Sequence, residues 1–447
     1  MPIYEYRKGQ LSSRQSRSAD PPATYQGTEA RMHLQKLAQR SLRFAQRQTH
    51  DFKLMLGRRT LHGLATGLTT QYSSIYATLL GANAVQLGSL QSVGNGVGAL
   101  AALPAGWFID YYSLKNVFLI GTATLAASSL LYLAAPFWTW LYAAIIIYYL
   151  GSRITCTACT VTCAAELENE GRATGRGLCR TLASPVAIVT PLLAAWLISR
   201  FGGISVEGIR PLFAVQALIF VGILLLLASR LSAAPSRRGS DGRIRTLSAF
   251  AQVFQQGPDV VRLLLVMGLM ELPWTIAQPF MPVYAHDFKG ADEFLLGGIA
   301  MTSVLVPMLA SIPLGRLADR HGRKRLLFAI APLAYAGNLL LIFAPASGVG
   351  ASLCLLLYGV LFGFNSIGMA LASSMAAEIM PQGQMGRWIG VVGLFRGLLS
   401  IPAPTVGGLI WEHIGPEYVF LAAIAIDVCV RLPLLAFTRE TLHLSLE

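Results

Sequence analysis

The sequence predicts an all-α polytopic membrane protein of twelve transmembrane helices in two six-helix repeats. Hydrophobic residues make up 54% of the chain and charged residues only 13%. Apolar segments of about twenty residues, the length that crosses a bilayer as a helix, recur from Leu61 to Phe437. Between two such segments stands a burst of charge, Gly315-Arg-Leu-Ala-Asp319-Arg320-His-Gly322-Arg323-Lys324-Arg325. A chain that leaves the membrane, turns on Gly322 and re-enters at once keeps those charges at the headgroups. The formal charge of +13 would suggest nucleic acid in a soluble protein. Concentrated in short loops, it points to a membrane surface and to no nucleic-acid partner.

Taken in order, residues 1–59 form a basic tail whose first half, rich in Ser, Gln and Pro, reads as disordered. From Glu29 to Leu56 the pattern turns helical, with Lys36, Arg40, Arg43 and Arg47 on one face. Such a helix would lie on a leaflet with anionic headgroups; the alternative is a solvated helix packed on the protein's own loops. The tail holds no apolar signal-peptide core, so the first span is expected to act as the targeting signal. Spans are expected at 60–81, 86–108, 115–135, 137–163, 173–198 and 211–231, forming an N-terminal six-helix bundle over 60–231. A polar linker over 232–260 follows. The second bundle, 261–437, has spans at 261–285, 295–317, 324–345, 350–379, 387–410 and 417–437, and 438–447 is a short C-terminus. Lys and Arg gather in the tail, the linker and the loops after even-numbered spans. By the positive-inside rule both termini are cytoplasmic, as expected in a bacterial inner (plasma) membrane.

The halves repeat each other. Pro104-Ala-Gly106-Trp-Phe-Ile-Asp110 aligns with Pro313-Leu-Gly315-Arg-Leu-Ala-Asp319, Ala164-Ala-Glu166 with Ala376-Ala-Glu378, and Pro191 with Pro404. Three anchors in one order indicate duplication of a six-span unit.

These residues resemble the major facilitator superfamily of secondary transporters. Gly315-x-x-x-Asp319-Arg320-x-Gly322-Arg323-Lys324-Arg325 is similar to that family's signature loop, and Gly106 to Lys115 stands where the first-half copy belongs. That copy departs from the pattern, with Tyr111, Tyr112, Ser113 and Leu114 in place of the basic residue, Gly and Arg. The resemblance implies a central cavity lined by spans 1, 4, 7 and 10 and closed alternately on each side. It also implies a cytoplasmic lock. Asp319 would cap the start of span 11 near Arg387, with Arg320 beside it, and Arg323 or Lys324 would reach Glu378. Asp110 and Glu166 are the weaker first-half counterparts.

Ionisable groups inside spans are costly and therefore informative. Glu271, in Met270-Glu-Leu-Pro-Trp274, lies about 15 Å from the inner end of span 7, near the midplane. A carboxylate there is protonated or paired, which makes Glu271 the candidate proton carrier. Pro273 is expected to break the helix beside it. Arg153, about 22 Å along span 4, resembles the span 4 Arg of proton-coupled exporters and would tune a neighbouring carboxylate or bind an anion. Asn365 precedes Glu378 by the spacing at which Arg153 precedes Glu166, and Gln71, Tyr72, Trp274 and Gln278 are further candidate lining residues. Asp427 and Arg431, one helical turn apart in span 12, read as a structural pair at the periphery.

Cys156, Cys159 and Cys163 fall along one face of span 4. They offer a path for a soft metal ion or metalloid, or are simply small packing residues. Gly94-Asn-Gly96-Val-Gly98 lies inside an apolar span and reads as close helix packing. No catalytic motif and no cofactor site is found, so the chain does not read as an enzyme. The reading is a secondary transporter moving a small molecule with protons, leaning to efflux of a drug-like or amphipathic compound. The alternatives are a soft-metal transporter using the thiol stripe and a non-transporting assembly or sensor protein.

Overall fold

The computed structural model describes residues 50–165, 172–231, 258–379 and 385–438. Regular structure among the described residues is helical throughout. Nine helical stretches among them are long and apolar enough to cross a membrane, span 6 the most apolar with a mean hydropathy of 2.6. The three expected spans outside that set have local reasons. Span 1 is split into helices His50–Thr70 and Ser73–Leu79; span 2 carries Gln86, Gln91 and Asn95; and in span 5 the apolar stretch is the shorter Pro185–Arg200. Helix His50–Thr70 also absorbs the last residues assigned from sequence to the basic tail. The last three linker residues begin the helix Pro258–Leu269; the remaining tail, the rest of the linker (232–257), Glu166 and Arg387 as a cap partner fall outside the described residues or side chains.

Helix breaks follow proline and capping chemistry. Span 7 consists of Pro258–Leu269, Leu272–Ala277 and Met281–Asp287. The first break falls at Met270 and Glu271, before Pro273 rather than at it. A proline in the first turn of a helix needs no amide partner, whereas in mid-helix it deprives the carbonyl four residues back. Span 11 divides in the same way into Met385–Ser400 and Ala403–His413, with Pro402 at the joint. Span 12 runs Pro416–Ile426, a π-helical turn Asp427–Arg431, and Leu432–Ala436. Two lysines close helix ends: Lys289 donates to the carbonyls of Ile342 and Ala344 at 2.7 Å each, and Lys324 to those of Ala436 and Thr438 at 2.7 Å each. Gly322, at φ 99°, makes the turn between spans 8 and 9 as the sequence requires.

The buried core has three parts, and their arrangement positions the site. One cluster, at the face opposite the turn at Gly322, joins both halves and includes Tyr72, Tyr76, Phe213, Phe280, Tyr284 and Phe420. At the face bearing the Gly322 turn there are two separate clusters. One is built from spans 1, 3, 4 and 6 around Phe118 and Phe220, the other from spans 7 to 10 and 12 around Met270, Leu327 and Met375. The halves therefore share a core on one side of the membrane and keep their own on the other.

The shared side is sealed by two seams related by the repeat. Span 2 meets span 11 where Gly88 lies against the Pro404 carbonyl and a Cβ on Gly408 would stand 2.5 Å from the Ala84 carbonyl oxygen. Span 8 meets span 5 where a Cβ on Gly297 would stand 2.8 Å from the Pro191 oxygen. The two prolines that mark the internal repeat thus each face a glycine of the opposite half, and backbone approach this close excludes any side chain. Polar contacts reinforce the seal. Ser92 and Thr405 share a hydroxyl bond of 2.8 Å, and the Tyr72 hydroxyl donates to the Glu293 carbonyl at 2.8 Å.

Candidate functional site

Below the seal a cavity opens between the halves. It is lined by Gln91, Asn95, Tyr149, Arg153, Glu271 and Arg396, with Trp274 and Gln278 above them. These come from spans 2, 4, 7 and 11, so spans 2 and 11 supply walls that the sequence assigns to spans 1 and 10. Gly94 and Gly98 make span 2 thin enough for this. A Cβ on Gly98 would stand 3.1 Å from Cδ1 of Tyr149 and 3.5 Å from Nη2 of Arg153, and one on Gly94 2.7 Å from Cδ2 of Tyr149. The glycine run is a packing surface whose gaps admit cavity-lining side chains. Gln91 donates its amide to the Tyr149 hydroxyl, and Asn95 crosses between halves to the Ser400 carbonyl at 2.9 Å.

Glu271 stands at the N-cap position of the middle helix of span 7, where its side chain makes no capping hydrogen bond, and its carboxylate is ion-paired with Arg396 of span 11. Both side chains keep 29% exposure, so the pair borders the cavity, while the carboxylate oxygen that meets Arg396, Oε2, is itself buried. Gly268, one turn before Glu271, makes the pairing possible, because its missing Cβ is where the ring of Phe395 sits. Arg396 is the functional residue that sequence reasoning missed. It is an ionisable residue within the expected span 11, the same signal that drew attention to Arg153. Arg153 is exposed in the same cavity, but the cation on Glu271 is Arg396.

The other expected residues distribute as follows. Trp274 and Gln278 line the cavity and also an adjoining pocket that runs into the C-terminal half, where Gln71 and Asn365 join them. Tyr72 is fully buried and ties the seal; it does not line the cavity. Asp427 and Arg431 are buried, at 6% and 5% exposure, yet they form a wall of that adjoining pocket rather than a lipid-facing periphery. Arg431 donates through Nε and Nη2 to both carboxylate oxygens of Asp427, and the Tyr335 hydroxyl donates to the same carboxylate.

At the signature loop, Asp319 is exposed and pairs with Arg323 at 3.4 Å, one turn on. Gly315 lies within the helix Glu293–His321, Arg320 is exposed, and Lys324 holds the end of span 12. The side chains of Asp110 and Glu378 are outside the described set. In span 4, Cys156 is exposed and Cys159 accepts a hydrogen bond from Arg59 at 3.6 Å. The Cys163 side chain is not described, and no group of three or more His, Cys, Asp or Glu suited to a metal occurs among the described residues.

Comparisons with known proteins agree with the helical fold. The chain is 28% identical to the class B tetracycline resistance protein of Escherichia coli over 41% of its own length and 43% of that protein's. It is 25% identical to multidrug resistance protein 3 of Bacillus subtilis (strain 168) over 41% of this chain and 35% of that one. The matched segments thus span less than half of these curated relatives. In fold it is similar to the nucleoside transporter NupG, with a TM-score of 0.71 at 15% identity over 87% of this chain and 99% of that one. A D-xylose–proton symporter gives 0.65 at 15% identity over 88% and 99%. The model of the Major Facilitator Superfamily matches residues 59–270 and 263–442. With both halves matched and the helical fold shared, this integral multi-pass membrane protein belongs to the major facilitator superfamily.

Proposed function

We propose that the protein is a proton-coupled secondary transporter that moves a small molecule by alternating access and exports a drug-like or amphipathic compound. The observation that carries this reading is the Glu271–Arg396 pair, set across spans 7 and 11 in the wall of a cavity between the halves. An unpaired carboxylate or guanidinium at membrane depth is expensive, so the pair holds the two spans together while Glu271 is ionised. Protonation of Glu271 removes the charge that Arg396 requires and frees span 11 to move. Arg396 then needs another anionic or hydrogen-bonding partner, and Arg153 adds a second cation to the same cavity. Proton and substrate thus bias one two-state element, which is the requirement for coupling.

The lock on the face bearing the Gly322 turn is assigned to Asp319, Arg323 and Glu378, with Gly315, Arg320, Gly322 and Lys324 shaping the loop and Asp110 and Glu166 as weaker counterparts. That face is taken as cytoplasmic because the basic loops lie on it, in the inner membrane of a bacterium. The sealed seams lie on the opposite face, so the conformation described is the one open to the cytoplasm. Efflux is favoured by the likeness to resistance proteins named for tetracycline and for multiple drugs.

The test is flux in proteoliposomes under an imposed pH gradient, using the compound that gives the largest thermal stabilisation in a solute screen at two pH values. Accumulation should collapse when a protonophore is added. Accumulation unaffected by the protonophore eliminates proton coupling, and absence of flux for every stabilising compound eliminates transport.

A further inference from the structure

The adjoining pocket, set mainly in the C-terminal half with Thr70 and Gln71 of span 1 at its edge, offers about 950 Å³ of unfilled space, its open mouth included, and spans 8, 9 and 12 contribute to its walls as well as spans 7 and 10. Its chemistry differs from that of the cavity holding Glu271. The ionised groups in its wall are Asp427 and Arg431, which neutralise each other through two hydrogen bonds while Tyr335 donates a third to the carboxylate. The wall therefore presents no net charge. Replacing such a pair by apolar residues is commonly neutral or stabilising in a buried site, so a self-contained ion pair here adds polarity without adding charge.

Two further features narrow the ligand. Trp274 stacks on Phe362 with centroids 4.9 Å apart and planes at 30°, and Tyr358 stacks on Phe362 at 5.5 Å and 27°. All three line the pocket, and Trp274 keeps 41% of its surface exposed. A planar ring entering the pocket extends this stack. Against it stand three primary amides, Gln278, Asn338 and Asn365, which line the pocket and make no side-chain hydrogen bond among the described residues. A primary amide offers a donor and an acceptor side by side, the complement of a ring edge carrying both. These amides are not among the buried groups that lack a partner, so they stand open to the pocket, and a ring edge that pairs with them takes the place of water there.

We infer that this pocket is a binding subsite for an uncharged planar heteroaromatic ring with mixed donor and acceptor edges, held by the Trp274–Phe362–Tyr358 stack and by the amides of Asn338, Asn365 and Gln278. The inference rests on the transporter reading above and specifies the compound that such a transporter takes. Asp427 and Arg431 close the pocket without selecting for charge, while the proton chemistry stays in the neighbouring cavity at Glu271. Trp274 stands in the walls of both.

The test is equilibrium binding to purified protein, read by quenching of tryptophan fluorescence, with adenine and lumichrome as uncharged planar probes and tetraphenylphosphonium as a non-planar cation. The planar probes should bind saturably. The Asn338→Leu and Asn365→Leu variants should each weaken them by about threefold to tenfold, as expected for one lost hydrogen bond. Trp274→Leu should remove most of the quenching, and Asn338→Ser and Asn365→Ser serve if a leucine variant fails to fold. Preferential binding of tetraphenylphosphonium, or planar-probe affinity unchanged in folded Asn338 and Asn365 variants, overturns the inference. The two readings fail separately. Flux of another solute with no planar-probe binding defeats only the subsite, and planar-probe binding with no flux in proteoliposomes defeats only the transport.

Discussion

Replacing Arg396 by Met removes the cation from Glu271 while leaving a side chain of similar length to fill the space. At a charge separation of about 4 Å and an effective dielectric constant of about 20 the pair is worth about 4 kcal/mol of attraction. Both side chains keep 29% exposure toward the cavity, and that contact with solvent lowers the retained value. Exposed pairs contribute about 0–1 kcal/mol, and breaking a fully buried pair costs about 3–5 kcal/mol. A half-buried pair should fall between, at about 2 kcal/mol. Arg396→Met and Glu271→Gln should each destabilise the purified protein by that amount in detergent unfolding. The double variant, in which neither charge is left without its partner, should recover about 1–2 kcal/mol of the summed loss. The assay is a double-mutant cycle followed by tryptophan fluorescence or by helical content. Single losses that simply add in the double variant would show that the two groups do not interact and would refute the argument.

Other predictions follow from the same geometry. Gly268→Leu places a side chain where the Phe395 ring sits; it should cost about 1–3 kcal/mol by overpacking and abolish transport, checked by unfolding midpoint and flux. Gly88→Val and Gly408→Val should prevent the seal between spans 2 and 11, so that a cysteine probe at the sealed face becomes more reactive toward an impermeant thiol reagent than in the parent protein. Asp427→Asn leaves Arg431 buried without its anion and should cost about 3–5 kcal/mol, and Asp427→Asn with Arg431→Met should restore most of that. Burial holds the Lys289 ammonium below its ordinary range, so the folded state binds that proton less tightly than the unfolded chain. Stability should accordingly rise with pH between the depressed folded value and the ordinary value near 10.5, and Lys289→Met should remove that part of the slope in a thermal melt against pH.

Much of the architecture was legible because a membrane span leaves a plain sequence record: a long apolar run, a charged loop and a repeat of both. The glycine run in span 2, the proline break in span 7 and the turn at Gly322 were readable for the same reason, since each residue type has a single backbone use at its position. The site was legible only in part. Glu271 stands out as a carboxylate among apolar neighbours, but its partner lies more than a hundred residues away, and no local pattern says which arginine faces it. Arg153 and Arg396 are equivalent by the logic of cost inside the membrane; only the packing of Gly268 against Phe395 decides between them. Tyr72 misled for the opposite reason. A polar aromatic in a span looks like a lining residue, and only the course of the chain shows that its hydroxyl is spent on the Glu293 carbonyl. Asp427 and Arg431 formed a pair visible by spacing, while their place in a pocket wall depends on how spans 9 and 12 close on span 7.

The central claim is that protonation of Glu271, relieved of Arg396, links a proton gradient to movement of the substrate. Its most direct test is a comparison of two fluxes in proteoliposomes carrying Glu271→Gln: accumulation driven by a pH gradient, and counterflow exchange with substrate on both sides. The glutamine copies the protonated carboxyl and cannot release a proton. Gradient-driven accumulation should vanish while exchange continues at a rate near that of the parent protein. Accumulation that persists with its pH dependence unchanged would contradict the account.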